Sequence, residues 1–516
     1  MSILHDEMSA LFYTSFGLDF GTYRSMMAYR DGNDGTVSVA RYDNPTNRGG
    51  IPSLFMYDPQ ANREYICDEV VDFNGLQDAP DCVCTSIKTK LELPEIILRS
   101  KIYAPAYIAE AEVRHILSLS HEAIEKALVK PYYTHLVVGV PVRFRASTRQ
   151  KLKDILLSAT EHKVDIRLLP EPIAAAIAYA SHDPNYKSDK KVLVFDMGAG
   201  TFDTSLLVPN SDLNRAPYPY VTKYPDGFSE AGDHLDKLMM TLILHKLENT
   251  IPEPAMNHLL DPATADYLRL KENARHTKEV LSRQESCPCK VVCSSGGAGY
   301  HTYSTSITRK EFEAVIAPVI DKAVECAHHV LEQANCQNDS NIDILLVGGS
   351  TYIPLVTSKL RARFPHIHPS RIFQSFPEES VARGCAIFAA KEVTNTPSAY
   401  GYAIASRHPS DQHTILAVAI PSNAKVPYEY SLDFQVINPK STYIIFRLYE
   451  IMHGKTEQML EVNDGTQTEL CIRHNLCTTF VDKLIIRTTF KLTEDGTLML
   501  TVFENGKAIE EYFVRG

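Results

Sequence analysis

Two short segments of this sequence combine an aspartate with glycine directly after an apolar run. They are residues 19–22 (DFGT) and residues 196–203 (DMGAGTFD). A strand that ends in aspartate places a carboxylate near a metal-bound phosphate, and the glycines after it expose backbone N–H groups that phosphate oxygens can approach. One such segment would also suit an ordinary turn, because Asp and Gly are common turn residues. Two of them, in separate halves of the chain, predict a nucleotide held between two lobes.

The composition limits the kinds of protein that this chain can be. With 516 residues it exceeds what one hydrophobic core usually supports, so two or three domains are expected. The net charge of −11 argues against nucleic acid as a partner, because phosphate binding needs a basic surface. No window offers about 20 apolar residues without charges, so no membrane partner is expected. Asp6 and Glu7 lie where a secretion signal would be basic, which predicts a cytoplasmic protein.

Eleven cysteines raise the question of a metal or redox site, because several are closely spaced. They include Cys82 and Cys84, and a group formed by Cys287, Cys289 and Cys293. Structural zinc usually needs two Cys-x₂₋₄-Cys pairs, or cysteines with histidines, and Cys-x-Cys is a poor match. Alternation along a strand would instead put both cysteines of such a pair on one face, as small buried residues. We therefore expect reduced thiols, with a metal site as the alternative.

The elements that must position the two Asp-Gly segments alternate between strands and helices over residues 14–391. Short apolar runs predict buried strands at 136–140, 192–195 and 344–347. Apolar residues at near-helical spacing predict a helix over 106–129. A second helix is expected over 171–181, where Pro172 suits the first turn. Strands that alternate with helices predict an α/β architecture.

The pattern changes after residue 391. Residues 392–399 have the composition of a linker. Beyond it, in 400–516, apolar residues alternate with polar ones, as they do over 430–436 and 498–502. Turn signals stand at Asp464-Gly465, Asp495-Gly496 and Asn505-Gly506. The sequence therefore predicts a separate all-β domain that is large enough to fold as a unit.

Four segments of the first 390 residues match one known family in order and spacing. They are residues 17–25 (GLDFGTYRS), 169–180 (LPEPIAAAIAYA), 192–203 (VLVFDMGAGTFD) and 344–354 (ILLVGGSTYIP). A fifth match is residues 140–144 (VPVRF), with Arg149 and Gln150 beyond it. Together they resemble the DnaK-type heat-shock chaperone ATPases, the seventy-kilodalton heat-shock protein family within the actin-like ATPase superfamily. The β region resembles that family's peptide-binding sandwich more loosely, in 416–436 and 483–507.

The resemblance implies a fold class, cofactors and site residues. We expect α/β lobes in a duplicated actin-like (ribonuclease H-like) ATPase domain over 14–391, and a β sandwich over 400–516. The implied ligands are ATP or ADP with Mg²⁺. Backbone or side-chain contacts to the nucleotide are expected from Gly21, Thr22, Tyr23, Gly198, Ala199, Gly200, Gly232, Lys278, Ser282, Gly348, Gly349, Ser350 and Tyr352. Asp19 and Asp196 would hold the metal through water, because Mg²⁺ keeps several waters when carboxylates bind it.

The hydrolysis residues can also be carried over from the family. ATP hydrolysis needs its phosphate charge neutralised and a water held in line. The resemblance implies Lys88, Glu171, Asp196 and Thr201 as the catalytic residues, with Glu171 orienting the water. Asp203 matches a further acidic residue near the metal.

Three positions depart from the family pattern on the nucleotide side. The family has an arginine after the lysine that matches Lys88, but here Thr89 and Lys90 follow it. A solvated surface lysine at position 88 therefore stays an alternative, and Lys90 could then take the role of Lys88 at the phosphate. Arg275 stands where the family has Glu, and its alternative interpretation is an exposed helical charge. Tyr352 replaces an Arg that lies against the adenine, and an aromatic ring could stack there too.

Other departures concern coupling between the domains. Residues 392–399 lack the family's acidic, leucine-rich linker, and we expect no helical lid after the sandwich. Without a lid, a bound peptide should leave faster. Pro141 and Arg149 match the family's interdomain relay residues, with a strand-end proline and a surface arginine as alternatives.

The function expected from this resemblance is that of a chaperone that hydrolyses ATP slowly to control polypeptide binding. Its partners would be unfolded or extended polypeptides, with a J-domain co-chaperone and a nucleotide-exchange factor. The main alternative is an adaptor that binds ATP structurally and acts through partner chaperones or the ribosome. A small-molecule kinase or an actin-like filament protein fits the β region less well.

Overall fold

The computed structural model describes eighteen ranges of the chain. These are 15–31, 35–42, 50–72, 79–99, 101–127, 135–161, 163–182, 190–209, 220–262, 264–294, 299–389, 400–407, 414–420, 428–436, 440–452, 470–477, 484–492 and 498–513. The linker expected at 392–399 lies outside the described residues, as do the turn signals at 464–465 and 495–496.

The described residues up to 182 build a six-stranded mixed sheet, a three-stranded and a two-stranded antiparallel sheet, and the helices that pack beside them. The strands are β1 (Ser15–Asp19), β2 (Arg24–Arg30), β3 (Val37–Val39), β4 (Ile51–Pro52), β5 (Leu54–Asp58), β6 (Arg63–Ile66), β7 (Val83–Thr85), β8 (Ile96–Leu98), β9 (Lys101–Tyr103), β10 (His135–Val140) and β11 (Asp165–Pro170). The helices are α1 (Asp68–Asp72), α2 (Pro105–Glu125), α3 (Ala146–Ala159) and α4 (Glu171–His182). Short 3₁₀ turns span Pro80–Cys82 and Ile87–Lys90.

The next part, up to residue 389, repeats this mixture of strands and helices. Its strands are β12 (Lys191–Met197), β13 (Phe202–Pro209), β14 (Tyr220–Phe228), β15 (Ser286–Ser294), β16 (Tyr300–Thr308), β17 (Ile342–Val347) and β18 (Ile372–Phe373). Its helices are α5 (Gly232–Leu247), α6 (Glu253–Leu260), α7 (Ala265–Leu281), α8 (Arg309–Gln333), α9 (Pro354–Arg363) and α10 (Ser380–Ala389). The 3₁₀ turns here span Gly349–Tyr352 and Pro369–Arg371.

The two main sheets have the same topology. The first has the order β11-β10-β1-β2-β3, and the second has the order β18-β17-β12-β13-β14. The central strands are β1 and β12. On one side each pairs with an antiparallel strand, β2 or β13, and on the other side with a parallel strand, β10 or β17. Asp19 and Asp196 are therefore at equivalent places, near the carboxyl ends of the two central strands.

Each sheet has its own hydrophobic core, and a third cluster joins them. The first core contains Phe16 and the second contains Phe195. The third cluster is built largely from α4 and α10, together with strand residues of both sheets. Helix α10 is held to β1 by the Ser15 hydroxyl, which donates to the Ala386 carbonyl at 2.9 Å. The mixed α/β architecture expected from the sequence is confirmed.

The described residues beyond 400 form strands arranged in two four-stranded sheets. They are β19 (Tyr400–Arg407), β20 (Thr414–Ile420), β21 (Tyr428–Val436), β22 (Tyr443–Met452), β23 (Leu470–Asn475), β24 (Leu484–Leu492), β25 (Leu498–Glu504) and β26 (Lys507–Phe513). One sheet has the order β20-β19-β22-β23 and the other β21-β24-β25-β26, all antiparallel. Side chains from both sheets share one hydrophobic cluster, which also includes Val142 and Ala146.

Several local expectations can be compared with these elements. The helix expected over 106–129 is α2, and the helix expected over 171–181 is α4. Cys287, Cys289 and Cys293 alternate along β15 and all three are buried free thiols. Within the described part of the chain, no group of three or more His, Cys, Asp or Glu side chains is placed to hold a metal ion. Among the helices described, none is long and apolar enough to cross a membrane.

Candidate nucleotide site

The two Asp-Gly segments face each other across the boundary between the two sheets. Gly200 comes so close to the turn after β1 that a β-carbon added to it would lie 3.0 Å from Cγ2 of Thr22. Only a residue without a side chain allows this approach without a shift. The structure thus brings together the two segments that the sequence predicted to share one nucleotide.

An ion pair between Lys88 and Glu171 lies beside the two aspartates. Lys88 Nζ is 2.8 Å from Glu171 Oε1, although these residues are 83 positions apart. Glu171 is the first residue of α4, directly after β11, and β11 is parallel to β10. Its carboxylate is therefore carried to the same edge of the sheet as Asp19. Lys88, on the short 3₁₀ turn, is only 6% exposed, so the alternative of a solvated surface lysine is wrong.

Lys90 does not take the place of Lys88. Its ammonium group donates to the Thr85 carbonyl at 2.7 Å and lies 3.9 Å from the sulfur of Cys84. The Lys90 side chain therefore contacts β7, which precedes its own 3₁₀ turn. This geometry does not support the suggestion that Lys90 substitutes for Lys88.

The site has more negative than positive charge. Burial raises the pKa of Asp19 to about 7, with Lys88 opposing the rise and Glu171 adding to it. Burial also raises the pKa of Asp196 well above its usual range, and the carboxylates of Glu171, Asp203 and Asp19 raise it further. Burial alone would lower the pKa of Lys88, but the neighbouring carboxylates, first Glu171 and then Asp19, raise it overall.

This excess of carboxylates fits a hydrated divalent cation. Burial, and after it the neighbouring carboxylates, raise the pKa values of Asp19 and Asp196, and a cation near them would offset both effects. The described residues hold no cluster that would ligate an ion through three or more side chains. Two carboxylates acting through water are the kind of donor set that Mg²⁺ accepts. The residues present therefore fit Mg²⁺ held through its water shell.

Asp203 adds another carboxyl to the site, and Thr201 forms a hydrogen bond with it. Asp203 lies opposite Asp196 in the β12–β13 pairing. Burial raises the pKa of Asp203 to about 6, while Arg143 and a hydrogen bond from Thr201 lower it. Arg143 was not assigned a role from the sequence. Arg143 belongs to the segment 140–144 that matches the family. A positive charge within that segment is the feature from which its role near the acidic residues could have been predicted.

A network of hydrogen bonds fixes the loop that follows Asp196. The Gly232 N–H donates to the Gly198 carbonyl at 3.0 Å, and the Asp233 N–H donates to the Ala199 carbonyl at 2.7 Å. The Ser350 hydroxyl donates to the Gly198 carbonyl as well, at 3.0 Å. These contacts join the start of α5 and the turn after β17 to the same short loop. Four residues predicted from separate motifs therefore lie in one place.

The turn after β17 needs glycine at its first position. Gly348 has a φ of +82°, and a β-carbon there would lie 2.4 Å from the Met197 carbonyl oxygen and 2.9 Å from Asp196 Oδ1. A side chain would therefore clash with the strand that carries Asp196. Gly349 begins the 3₁₀ turn that ends at Tyr352, and the Tyr352 ring is 41% exposed. An exposed ring at this turn is available for stacking.

Helix α7 supplies the residues expected on the nucleoside side. Lys278 lies 2.7 Å from Asp236 Oδ1 and donates to the Gly232 carbonyl at 3.2 Å. The Ser282 hydroxyl donates to the Lys278 carbonyl at 3.0 Å, one helical turn earlier in the chain. Both side chains thus have partners from the protein. Asp236, which the sequence reasoning did not single out, lies one turn after Gly232 on α5.

Arg275, on the same helix, is not an exposed charge. Its side chain is 13% exposed, its guanidinium pairs with Glu272, and its Cζ lies 3.8 Å from the centre of the Tyr23 ring. The alternative interpretation of this residue as an exposed helical charge is therefore wrong.

Arg149 is also covered by protein. It is 5% exposed and its Nη2 donates to the Val142 carbonyl at 3.1 Å. The alternative of a surface arginine is wrong for this residue too, whereas the relay role stays a prediction.

Comparison with known proteins agrees with the arrangement described above. A family model described as "Hsp70 protein" matches residues 83–398. A chaperone protein HscA homolog of Colwellia psychrerythraea is 24% identical over 520 residues, covering 96% of this chain and 77% of that protein. The chaperone protein HscA of Pectobacterium carotovorum is 27% identical over 386 residues, covering 73% of this chain and 56% of that protein. Because the family model covers more than half of the sequence, the chain belongs to the Hsp70 family.

Proposed function

We propose that this protein is a chaperone that binds ATP with Mg²⁺, hydrolyses it slowly and uses the cycle to control polypeptide binding in its β region. One observation carries the proposal: the Lys88–Glu171 ion pair is buried beside the carboxylates of Asp19 and Asp196. Phosphate hydrolysis needs this combination of a positive charge, a metal-binding pair of carboxylates and a group that positions water. The relatives' printed name, chaperone protein, supports the same function.

Each charged residue has its own role in this proposal. Glu171, held in place by Lys88, orients the attacking water, and Lys88 contacts the γ-phosphate. Thr201 places its hydroxyl near the same phosphate. Asp19 and Asp196 hold the water shell of Mg²⁺, which when bound would neutralise phosphate charge as hydrolysis proceeds.

The remaining contacts surround the nucleotide from both halves of the domain. The N–H-rich turns near the phosphates are those of Gly21, Thr22, Tyr23, Gly198, Ala199, Gly200 and Gly232. The nucleoside side is formed by Lys278, Ser282, Gly348, Gly349, Ser350 and Tyr352. Lys278 is paired with Asp236, so we expect it to position α7 and α5 around the ribose as much as to contact it.

The architecture that fits this function is a duplicated, two-lobed domain followed by a β sandwich. The equal topology of the two main sheets supports a duplication. The hydrophobic cluster shared by the two antiparallel sheets supports a sandwich. We place the ATPase domain at 14–391, the linker at 392–399 and the sandwich at 400–516. Extended polypeptides, a J-domain co-chaperone and an exchange factor would then be the partners, in the cytoplasm.

The replacement Glu171→Ala tests this function. It removes the group that orients water but leaves the phosphate turns and the two aspartates, so the variant should bind ATP and fail to hydrolyse it in a single turnover. Binding is measured by equilibrium titration with a fluorescent ATP analogue, and hydrolysis by phosphate release.

Glu64→Ala is the matched control. Glu64 also forms a carboxylate–lysine pair, with Lys101 at 2.9 Å, but it lies outside the site. This control should hydrolyse ATP like the wild type. Rapid hydrolysis by Glu171→Ala at the wild-type rate would refute the proposed role of Glu171 in orienting water.

An adaptor that binds ATP without using it is the second candidate. The observation that favours it is on the nucleoside side, where Lys278 is committed to Asp236 and Arg275 is stacked on Tyr23. Tight ATP binding by the wild type, with single-turnover hydrolysis no faster than in Glu171→Ala, would favour this candidate.

A further inference from the structure

One direct side-chain contact connects the turn after β1 to helix α7. The Arg275 guanidinium carbon lies 3.8 Å from the centre of the Tyr23 ring, the geometry of a cation–π contact. Tyr23 belongs to the turn that carries the first Asp-Gly segment. Arg275 belongs to the helix that carries Lys278 and Ser282. The contact therefore joins the phosphate turn of the first half to the nucleoside helix of the second.

Each partner is anchored firmly in its own half. The Tyr23 carbonyl accepts a hydrogen bond from the Ser53 N–H at 2.9 Å, which fixes the turn to the segment between β4 and β5. Helix α7 is fixed to α5 by the Lys278–Asp236 pair at 2.7 Å. Movement of one half relative to the other must therefore break or distort the Arg275–Tyr23 contact.

The surroundings of Arg275 leave part of its guanidinium unsatisfied. One side of the group pairs with Glu272, on the preceding turn of α7. Its Nε is buried and lies 3.9 Å from Glu279 Oε1, but it makes no hydrogen bond within the described residues. A buried N–H without an acceptor is costly, and a ribose or phosphate oxygen entering the cleft could supply one. Arg275 is thus placed to respond both to closure of the two halves and to a bound nucleotide.

We propose that Arg275 and Tyr23 form a clasp between the two halves, which closes over a bound nucleotide and slows its release. Arg275 acts as a positioning residue through Tyr23, and its charge favours an anionic ligand such as a nucleoside polyphosphate. The inference rests on the proposed function, because it concerns release of the nucleotide that function requires.

The clasp has a measurable effect on release. A cation–π contact of this kind, when largely covered from water, corresponds to a factor of about 2 to 30 in a rate or equilibrium constant. In Arg275→Gln and in Tyr23→Leu, a fluorescent ATP analogue bound with Mg²⁺ should therefore dissociate about 2- to 30-fold faster in stopped-flow experiments. The double variant should be no faster than the faster single variant, because the same contact is lost. Arg275→Lys, which keeps the charge, should release nucleotide more slowly than Arg275→Gln.

Arg269→Gln is the matched control. Arg269 lies on the same helix, pairs with Asp266 three residues earlier and stacks on Tyr300 with its Cζ 5.0 Å from the ring centre. Its aromatic partner, however, belongs to β16 in the same half of the domain. This variant loses an equivalent contact without opening a path between the halves, so it should release nucleotide at the wild-type rate.

A second measurement needs no nucleotide. Hydrogen exchange of the peptide covering residues 20–25 in the nucleotide-free protein should be faster in Arg275→Gln than in wild type or Arg269→Gln. If the wild type binds no nucleotide, the proposed function fails, while the exchange data still report on the contact. If nucleotide binds but both single variants release it at the wild-type rate, or their effects add fully, the clasp is refuted and the proposed function stands.

Discussion

The sequence shows which residue types this site contains, but it does not show which distant residues surround each of them. Asp19, Asp196 and Glu171 could be predicted because each follows a strand or begins a helix within a recognisable segment. Lys88 was less certain from sequence, since the residues after it depart from the family pattern. Its burial results from a partner 83 positions away, and pairing over such a distance is decided by packing. The same reason explains why Arg275 could not be placed against Tyr23 in advance.

A buried carboxyl outside the site gives a prediction for pH. Glu112, on α2, is fully buried, and the Ser53 hydroxyl donates to its Oε2 at 2.8 Å. Its Oε1 has no hydrogen-bond partner in the described part of the chain. Burial raises the pKa of Glu112 from 4.5 to about 8, although Ser53 and then Lys90 lower it. The folded protein therefore binds this proton more tightly than the unfolded chain does.

Because the folded protein holds the Glu112 proton more tightly, Glu112 stabilises the fold at low pH and not at high pH. The contribution of Glu112 to stability is complete below pH 4.5 and is lost progressively as the pH rises towards about 8. Glu112→Gln mimics the protonated acid, so its melting temperature should equal that of the wild type near pH 4 and exceed it near pH 8.5. Glu110→Gln, which loses a surface pair with Arg114, is the control and should show no such pH-dependent difference. A wild-type melting temperature above that of Glu112→Gln at pH 8.5 would contradict the prediction.

At the level of elements, regular patterns were predictable and close contacts between elements were not. Apolar runs identified the strands β10, β12 and β17, and helical spacing identified α2. The position of α10 against β1 was not predictable, because it depends on a hydrogen bond from the Ser15 hydroxyl to the Ala386 carbonyl, 371 positions away. Cys-x-Cys alternation along β15 could be foreseen, since a strand places alternate residues on one face.

The two sheets of the β region are joined by a buried hydrogen bond between a histidine and a glutamate. His474 on β23 lies 3.0 Å from Glu504 on β25, and both side chains are 0% exposed. Glu504 also accepts hydrogen bonds from the Cys477 N–H. Replacing His474 alone would leave the buried Glu504 carboxyl without this partner, which typically costs about 1–3 kcal/mol. In His474→Leu, amide exchange over 484–513 should therefore become much faster by mass spectrometry.

An exposed pair in the same region serves as the comparison. Arg487 and Asp433 pair at 2.8 Å with both side chains about half exposed, so Arg487→Gln should change the exchange little. The double variant His474→Leu, Glu504→Leu should exchange more slowly than His474→Leu, because it also removes the buried carboxyl that has lost its partner. Equal exchange in His474→Leu and Arg487→Gln would show that the buried pair does not hold the sheets together.

For the whole molecule, the main question is whether the nucleotide domain and the β region affect each other. Val142 and Ala146, which follow β10, belong to the hydrophobic cluster of the β region. The Val142 carbonyl accepts a hydrogen bond from Arg149, so this contact is supported by α3. The contact was not predictable from the linker composition, since it is made by residues that follow β10. In the proposed function, the nucleotide state would reach the sheets through β10, which pairs with the strand carrying Asp19.

This route predicts that ATP changes the affinity of the whole chain for an extended apolar peptide. A ligand shifts an equilibrium only by its differential affinity for the two states, so affinity must differ between the ATP-bound, ADP-bound and nucleotide-free protein. Fluorescence anisotropy of a labelled peptide measures the three values. Ala146→Glu should reduce the difference while leaving single-turnover hydrolysis intact, because it places a charge in the shared cluster, away from Glu171. Equal peptide affinity in all three states of the wild type would instead support the adaptor, in which bound ATP has a structural role.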